Sequence, residues 1–438
     1  MSKQEQDFTE TAAQLAWNTL TSEDDGRACK DIPEQACDEQ PRNFSTHIIS
    51  LSLTKSADAF VNPKLILSWI LTTLGAPAYF IGLLVPIREA GSLLPQLFIA
   101  NTIRSLPLRK YAWVLGSFIQ GMCAAGMGIA VLSLEGTPLG ITIVCLLGLL
   151  ALSRSMCSVS YKDVLGKTVS KSKRGTATGT ASSLSAGLVI AYAILISLNL
   201  VDKLTLVTIG LFFAAGFWVI ASALFSTLEE QKGATEGGGS LFIIAKQNFS
   251  YLYKDRELAL FIVTRALLIA TALAPPFMLA LNAEHLNNNI GGLGSLLLAS
   301  SLASLVSGYV WGRLADISSR KVLLLSGFSA GVALLLTVIA ASYHLLEVYW
   351  VLPALLFTLM VAYEGVRMGR SIHLVDIADQ DKRAIYTALS NSIIGVFLLL
   401  GGLFSIVSHW YGEQVVLSVF ALMSFSSMIS AYLMKEAQ

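Results

Sequence analysis

The sequence predicts an all-α membrane protein with twelve transmembrane helices in two pseudo-symmetric six-helix bundles. Three observations lead to this fold class: an apolar composition, charge-free runs that recur along the chain, and a one-sided distribution of Lys and Arg between those runs. Of the 438 residues, 54% are hydrophobic and only 13% are charged, whereas soluble domains carry about 25% charged residues. The composition therefore excludes an ordinary soluble protein.

The charge-free runs set the number of helices. A helix needs about 20 apolar residues to cross the hydrocarbon core of a bilayer, and ten suitable runs follow one another from residue 111 onward. Two more lie in residues 46–103, where charges interrupt the pattern. The predicted spans lie at about 46–68, 77–101, 111–134, 138–160, 175–200, 204–227, 258–282, 291–312, 322–343, 348–369, 384–408 and 414–434.

The basic residues predict the orientation of the chain. The connections after spans 2, 4, 6, 8 and 10 each contain at least two Lys or Arg, whereas those after spans 3, 5, 7, 9 and 11 contain only Lys203. Basic loops stay in the cytoplasm, so we expect an even number of spans and two cytoplasmic termini. We expect a monomer in a bacterial inner (plasma) membrane.

Two polar segments divide the chain. Residues 1–43 are polar and acidic, which predicts a mostly disordered cytoplasmic tail and no cleavable signal peptide. Residues 229–257 join a Gly-rich stretch to apolar, aromatic and basic residues, which predicts a cytoplasmic linker with an interfacial helix. The N-terminal bundle would then occupy residues 44–228 and the C-terminal bundle residues 258–438.

One short segment between spans 8 and 9 resembles a known signature. Residues 312–321 follow the pattern G-R-L-A-D-x-x-x-R-K. An ordinary charged turn is the simpler alternative, but between two spans the pattern resembles the signature loop of the major facilitator superfamily. The resemblance covers about residues 46–434 and implies a secondary transporter whose two bundles rock about a central solute site.

A weak internal repeat agrees with two related bundles. The aligned pairs are Arg109-Lys110 with Arg320-Lys321, Gly116 with Gly327, Arg154 with Arg367, and Asp163 with Asp376. Ser105 stands where the second copy has Asp316, so the first copy of the signature loop is degenerate.

The resemblance also implies a cytoplasmic charge network that holds the bundles together when the outer side is open. In this network, Asp316 and Arg320 would pair with Asp376 near Arg174. The expected gate residues are Asp316, Arg320, Asp376, Arg174, Arg383, Asp163, Arg154 and Arg367.

Ionisable residues inside the predicted spans mark a candidate site for solute or proton. A charge near the bilayer centre costs at least ~2.5–3.5 kcal/mol, so each such residue is a functional hypothesis. The candidates are Lys55, Asp58, Arg88, Glu89, Arg265 and Glu364. Structural pairing of Lys55 with Asp58, and of Glu364 with Arg367, is the competing interpretation. The mixed charges suit a small polar, anionic or zwitterionic solute.

Other patterns predict packing rather than chemistry. Gly175, Gly179, Ser183 and Gly187 recur every four residues in span 5, which favours tight contact with a neighbouring helix. We expect the histidines at the surface and the five cysteines as free thiols. No metal, phosphate-loop or hydrolase motif is found, so we expect no enzyme activity, no catalytic residue, no cofactor, no metal and no nucleic-acid partner.

The leading prediction is a secondary transporter for a small solute, with the proton as a candidate coupling ion. A non-transporting relative, acting as a membrane assembly factor or sensor, is an alternative that the long tail and the degenerate loop motivate. A multidrug efflux pump is a second alternative, which the absence of a Gly-Pro motif in span 5 disfavours.

Overall fold

Twelve helical elements, α1 to α12, follow the predicted spans in order. The computed structural model describes residues 37–198, 200–232, 251–282, 292–315, 317–377 and 383–436, with the separate residues 14, 17, 243 and 249. The elements are α1 (Gln40–Phe60 and Ile66–Thr73), α2 (Ala78–Leu93 and Gln96–Arg104), α3 (Lys110–Ser133), α4 (Gly136–Thr168), α5 (Lys171–Ser197), α6 (Lys203–Ser226), α7 (Arg256–Leu268 and Ala270–Leu281), α8 (Gly292–Ala315), α9 (Ser319–Ser342), α10 (Val351–Ile377), α11 (Arg383–Gly401 and Phe404–Tyr411) and α12 (Glu413–Tyr432).

Eleven helices in the described part of the chain are long and apolar enough to cross a membrane. The remaining element, α1, buries polar residues such as His47, Ser50 and Ser56. It packs against α5 and α6, and these neighbours shield its polar side chains from lipid. The structure therefore agrees with the predicted all-α fold of twelve transmembrane elements.

The two halves repeat one packing pattern. In the first half, α3 packs against α4 and α6, and α2 packs against α4. In the second half, α9 packs against α10 and α12, and α8 packs against α10. Between the halves, α5 contacts α8 and α2 contacts α11, which is the pairing expected when a two-fold axis exchanges the bundles.

Four helices, α1, α2, α7 and α11, are interrupted where the sequence predicts continuous spans, and the interruption of α2 lies between Leu93 and Gln96. α1 stops at Phe60 and resumes at Ile66, because Pro63 cannot donate the backbone hydrogen bond that a helix requires. α11 is interrupted after Gly401. The two adjacent prolines of span 7, Pro275 and Pro276, predict a kink there, but the interruption of α7 falls earlier, at Ile269, and both prolines lie inside the following helical segment.

Clasps of similar geometry close one end of each bundle. In the first, the Lys110 ammonium donates to the carbonyl oxygens of Ser226, at 2.9 Å, and Leu228, at 2.7 Å. The Lys110 backbone N–H donates to the Glu230 carboxylate at 2.7 Å, and Lys167 pairs with the same carboxylate at 3.0 Å. This first clasp joins the start of α3 to the ends of α4 and α6.

The second clasp joins the start of α9 to the end of α12. Arg320 donates to the carbonyl oxygens of Tyr432, at 3.4 Å, and Met434, at 2.9 Å. It also forms an ion pair with Glu436 at 3.0 Å. Because Arg320 makes the contacts that Lys110 makes in the first half, the two residues are equivalent.

This equivalence corrects the predicted repeat by one residue, since the sequence alignment had placed Lys110 on Lys321. The new register also equates Ser117 with Gly327. Ser117 donates to the Trp218 carbonyl on α6, and Gly327 lies against Ser424 and Ser427 on α12. Contacts to the last helix of each bundle therefore set the register, which a comparison of short motifs could not do.

The cysteines and histidines depart in part from their predicted states. Cys37 is disulfide-bonded, so the expected free thiol is wrong there, whereas Cys123, Cys145 and Cys157 are free. The surface prediction is also wrong for two histidines, because His47 and His373 are 1% and 0% exposed.

Most of the predicted tail, 1–43, and of the predicted linker, 229–257, lies outside the described residues. α1 begins at Gln40, inside the predicted tail. Trp17 packs edge-on against Phe44, with ring centroids 5.1 Å apart. In the linker, only Tyr251–Lys254 is described as a short helix.

Candidate functional site

A charged cavity of about 670 Å³ lies between the two bundles. Helices α1, α2, α4 and α5 line it on one side, and α8 and α10 line it on the other. Its ionisable wall residues are Lys55, Lys64, Arg88, Arg154, Arg367, Arg370, Asp58, Glu89 and Glu364. Six cations against three carboxylates leave a formal excess of three positive charges in the cavity.

Asp58 organises the charges of the N-terminal bundle. Its carboxylate, on α1, accepts a hydrogen bond from Arg88 on α2 at 2.5 Å, and its second oxygen pairs with Arg154 on α4. The predicted alternative, a pair between Lys55 and Asp58, is not formed, because Lys55 donates instead to Ser182 on α5. One carboxylate is therefore shared by two guanidinium groups, which stay charged at any physiological pH.

The interruption of α1 places a lysine at the interface between the bundles. The side chain of Asn62 accepts a hydrogen bond from the Lys64 N–H at 2.8 Å and so shapes the turn. The Lys64 ammonium lies over the ring of Tyr363 on α10, 3.1 Å from its centroid. The cation–π contact crosses from one bundle to the other.

The C-terminal bundle contributes one internal ion pair. Arg367 and Glu364 lie one turn apart on α10 and are 3.1 Å from each other, so the predicted pairing of these two residues is observed. Arg367 also lies 5.9 Å from the centroid of the Tyr363 ring. Lys64, Tyr363 and Arg370 were not predicted as site residues, although Pro63 signalled the break that brings Lys64 into the cavity.

Glu89 differs from the other two carboxylates. It lies close enough to Lys64, Arg88, Arg367 and Arg370 to interact with them electrostatically, yet it makes no direct ion pair within the described residues. Glu89 and Arg88 are adjacent on α2 and both line the cavity.

Arg265 is the predicted solute-site residue that does not line the cavity. From α7 it donates to Ser390 on α11, and it lies 3.4 Å from Asn391. The arrangement repeats that of Lys55, which donates from α1 to Ser182 on α5. The two cations therefore occupy equivalent positions in the two bundles, but only Lys55 lines the cavity.

Among the gate residues whose side chains the structure describes, each makes its polar contacts within its own bundle. Asp316 lies outside the described residues, and Arg383 begins α11. Arg174 donates to the carbonyl oxygens of Val169 and Gly166, at 2.9 and 2.7 Å, and so closes its own turn.

Asp163 and Asp376 each stay within their own bundle. Asp163 pairs with Arg109, and with Lys167 at 3.0 Å. Asp376 accepts a hydrogen bond from Ser319 at 2.6 Å, and Arg320 pairs with Glu436 instead.

Sequence reasoning missed three members of these clusters, namely Glu230, Glu436 and His373. The two glutamates follow apolar helices at equivalent positions, which was an available signal. His373 lies 3.0 Å from the Ser319 hydroxyl through Nδ1, and no sequence pattern indicated that it would be buried.

The cavity is closed at one end and open at the other. At the closed end, Gly294 on α8 lies against Ser197 on α5, and Gly82 on α2 lies against Ser405 on α11, so that a Cβ on either glycine would overlap its neighbour. At the other end, next to the clasps, Gly179 on α5 and Gly308 on α8 have no atom within 4 Å of an added Cβ.

This asymmetry corrects the packing prediction for α5. The stripe of small residues on α5 was expected to contact a neighbouring helix tightly, but Gly175, Gly179 and Gly187 all face open space. Gly308 and Gly312 lie four residues apart on α8, a spacing that also favours close helix contact, but both face open space. Gly179 and Gly308 lie at the open end, where α5 and α8 are apart.

Comparison with solved structures reveals transporters of similar architecture. A point variant of the nucleoside transporter NupG superposes with a TM-score of 0.69 and 13% identity, covering 90% of this chain and 100% of that one. The unsubstituted NupG gives 0.65 at 13% identity, with the same coverage. A D-xylose-proton symporter gives 0.66 at 10% identity, covering 89% of this chain and 98% of that one.

The chain has the major facilitator fold. No family model matches the sequence, and no curated protein matches it either, so the likeness rests on three-dimensional structure. These three structures carry names of transporters rather than enzymes. Within the major facilitator fold, the charged cavity of this chain lies between the bundles, where such proteins place their solute site.

Proposed function

We propose that the chain is a secondary transporter that moves a small polar solute across the membrane by alternating access. The observation that carries the proposal is the charged cavity of about 670 Å³ between two bundles of similar packing. Charged groups inside a membrane protein are costly and mark solute or ion pathways. A packed core that serves only stability would not keep nine ionisable residues around one cavity.

The unequal ends of the cavity support alternation. Helices α5 and α8 touch at Gly294 and are apart at Gly179 and Gly308, as expected for two rigid bundles that rock about a central site. The clasps lie at the open end, which also carries most of the basic loop residues. By the positive-inside rule this end faces the cytoplasm, so the described conformation is the inward-open one.

Flux through reconstituted protein tests the proposal. Proteoliposomes would be offered labelled uridine, D-xylose, glutamate, succinate and phosphate, and we expect saturable uptake or exchange of at least one solute. Arg88→Met should reduce that flux at least about tenfold, because it removes a cavity cation. Lys162→Met is the matched control, since Lys162 is exposed on α4 and does not line the cavity.

The same assay separates the transporter from a non-transporting relative. A solute that stabilises the purified protein thermally, without flux in vesicles, would identify a sensor or assembly factor and contradict the proposal. An efflux pump for lipophilic cations is disfavoured, because the excess positive charge of the cavity would repel them.

Proton coupling is a finer part of the proposal, and Glu89 is its candidate residue. Asp58 and Glu364 are each held by arginine at hydrogen-bond distance, whereas Glu89 makes no direct ion pair within the described residues and so has the least constrained carboxylate. Equal flux with and without a pH gradient would reject coupling.

We also propose the division of the chain into an N-terminal bundle up to residue 228, a linker over 229–257 and a C-terminal bundle from residue 258. Proteolysis in the linker should leave two fragments that remain associated in the membrane, because α5 contacts α8 and α2 contacts α11.

A further inference from the structure

We propose that the solute is a small dianion held between Lys55 and Lys64 of the N-terminal bundle and Arg370 of the C-terminal bundle. The inference rests on the proposed transport function and names the class of solute for the same cavity. Two chemistries share the required charge, namely an oxyanion such as phosphate and a dicarboxylate such as succinate.

The first argument is the pattern of charge pairing in the cavity. Asp58 is shared by Arg88 and Arg154, and Glu364 is paired with Arg367. Among the described residues, the remaining cations, Lys55, Lys64 and Arg370, have no carboxylate partner. Glu89 alone is left to offset them, so these four groups carry a net charge of two. A solute with two negative charges cancels that charge and lowers the excess of the whole cavity from three to one, whereas a neutral sugar or nucleoside leaves the excess at three.

The second argument is the burial of Lys64. Lys64 is only 5% exposed. Its ammonium contacts the Tyr363 ring rather than an anion. A buried cation without a directly paired anion is unfavourable, and the cation–π contact and the more distant Glu89 carboxylate offset only part of that cost. An anion in the cavity supplies the missing partner.

The third argument is that like charges face each other across the gap between the bundles. Lys55 of the N-terminal bundle and Arg367 of the C-terminal bundle carry the same charge and line the cavity from opposite sides. Closing the open end brings these groups nearer, so closure is unfavourable while the cavity is empty. A dianion between the bundles replaces the repulsion with attraction to both sides and favours the closed state.

Binding to the purified full-length protein tests the solute class directly. Titrations at pH 8 would compare succinate with succinamate, in which a carboxamide replaces one carboxylate at nearly constant size, and with phosphate and uridine. We expect at least one dianion to bind about tenfold or more tightly than succinamate. Equal affinity for succinamate and both dianions, or binding of neither dianion, would overturn the proposal.

Substitutions test the three cations. Lys55→Met, Lys64→Met and Arg370→Met should each weaken dianion binding about tenfold and reduce the preference over succinamate, whereas Lys162→Met should change neither. Arg370→Lys keeps the charge and should retain most of the affinity, which controls for misfolding of the methionine variant. Unchanged affinity in all three methionine variants would overturn the assignment of these residues.

The outcomes for the solute class and for transport are distinguishable. Saturable flux of xylose or uridine without dianion binding would leave transport standing and end the dianion proposal. Dianion binding without flux would keep the site and contradict transport. Comparing the affinities for phosphate and succinate shows whether the preferred solute carries its two charges on one group or on two separate groups.

Discussion

Lys64 and Tyr363 connect the two bundles at the wall of the cavity, with the ammonium 3.1 Å from the ring centroid. Lys64 belongs to the turn that interrupts α1, and Tyr363 lies on α10. Cation–π contacts contribute about 0.5–2 kcal/mol, most when desolvated, and Lys64 is almost fully buried. The contact therefore stabilises the association of the two bundles in this conformation.

Replacement of the tyrosine tests this contact. Tyr363→Leu should lower the free energy of unfolding by about 1–2 kcal/mol and Tm by about 1–4 °C, because the ammonium loses the ring face. Tyr363→Phe keeps the ring and should change Tm by less than about 1 °C. Thermal unfolding in detergent measures both, and an equal decrease for Phe and Leu would assign the effect to the hydroxyl instead.

Asp58 should influence both stability and anion affinity. Asp58→Asn removes the carboxylate shared by Arg88 and Arg154. The loss of one partner from a buried pair costs about 3–5 kcal/mol, but the Asp58 and Arg154 side chains are 23% and 40% exposed, so we expect about 1–2 kcal/mol.

Succinate affinity should rise several-fold in Asp58→Asn, because two guanidinium groups lose their internal anion. Asp163→Asn is the matched control, since Asp163 also pairs with two cations but lies outside the cavity. We expect it to lower Tm without changing succinate affinity. A fall in affinity for Asp58→Asn would show that Asp58 orients the arginines rather than competing with the solute.

The open glycine faces should be needed for closure. Gly179→Leu places a branched side chain where α5 must approach α8, and overpacking of this kind costs about 1–3 kcal/mol. We expect the open conformation to be enriched about fivefold or more. Double electron–electron resonance measurements between spin labels at Lys162→Cys and Lys321→Cys, with Cys123, Cys145 and Cys157 replaced by serine, report the population of each conformation.

Gly187→Leu is the control for that measurement. Gly187 also faces open space, but its neighbour Ala186 faces the cavity, so Gly187 points about 100° away. We expect its distance distribution to match that of the parent protein. A single unchanging distance in every variant and with every solute would contradict alternation itself.

Glu89 should carry any dependence of transport on a pH gradient. In Glu89→Gln, the side chain keeps its size but cannot exchange a proton, so we expect flux to become independent of the gradient while solute exchange continues. Glu364→Gln should keep the dependence, because Glu364 is held by Arg367 at 3.1 Å. Proteoliposome flux at matched internal and external pH, compared with an imposed gradient, separates these outcomes.

The two clasps should differ in strength although their geometry is similar. The Glu230 side chain is fully enclosed, whereas that of Glu436 is 34% exposed. Glu230→Gln should therefore cost about 1.5–3 kcal/mol, as expected for enclosed hydrogen bonds to charge, and Glu436→Gln less than about 1 kcal/mol. Equal Tm values for the two variants would show that exposure does not govern the clasps.

Much of the fold was predictable from the sequence because the bilayer imposes it. Lipid offers no hydrogen-bond partners, so each apolar run of sufficient length must satisfy its own backbone as a helix. The order of all twelve elements follows from that constraint. The break in α1 and the early interruption of α7 at Ile269 were not predicted, because neighbouring helices decide whether a proline bends or ends a helix.

The candidate site was predictable as a set of residue types rather than as an arrangement. The high cost of charge in lipid singled out Lys55, Asp58, Arg88, Glu89 and Glu364, and these five residues share one cavity. Their partners depend on distances between helices far apart in sequence. The sharing of Asp58 by two arginines was therefore decided by tertiary structure.

By itself, the sequence determined that this chain is a helical membrane protein. It also determined which ionisable residues lie within the spans, where their energetic cost marks them as functional candidates. The tertiary structure decided which charges meet, that Arg265 is excluded from the cavity while its counterpart Lys55 lines it, and which end of the cavity is open. Hydropathy acts on each segment alone, whereas these features depend on contacts between segments.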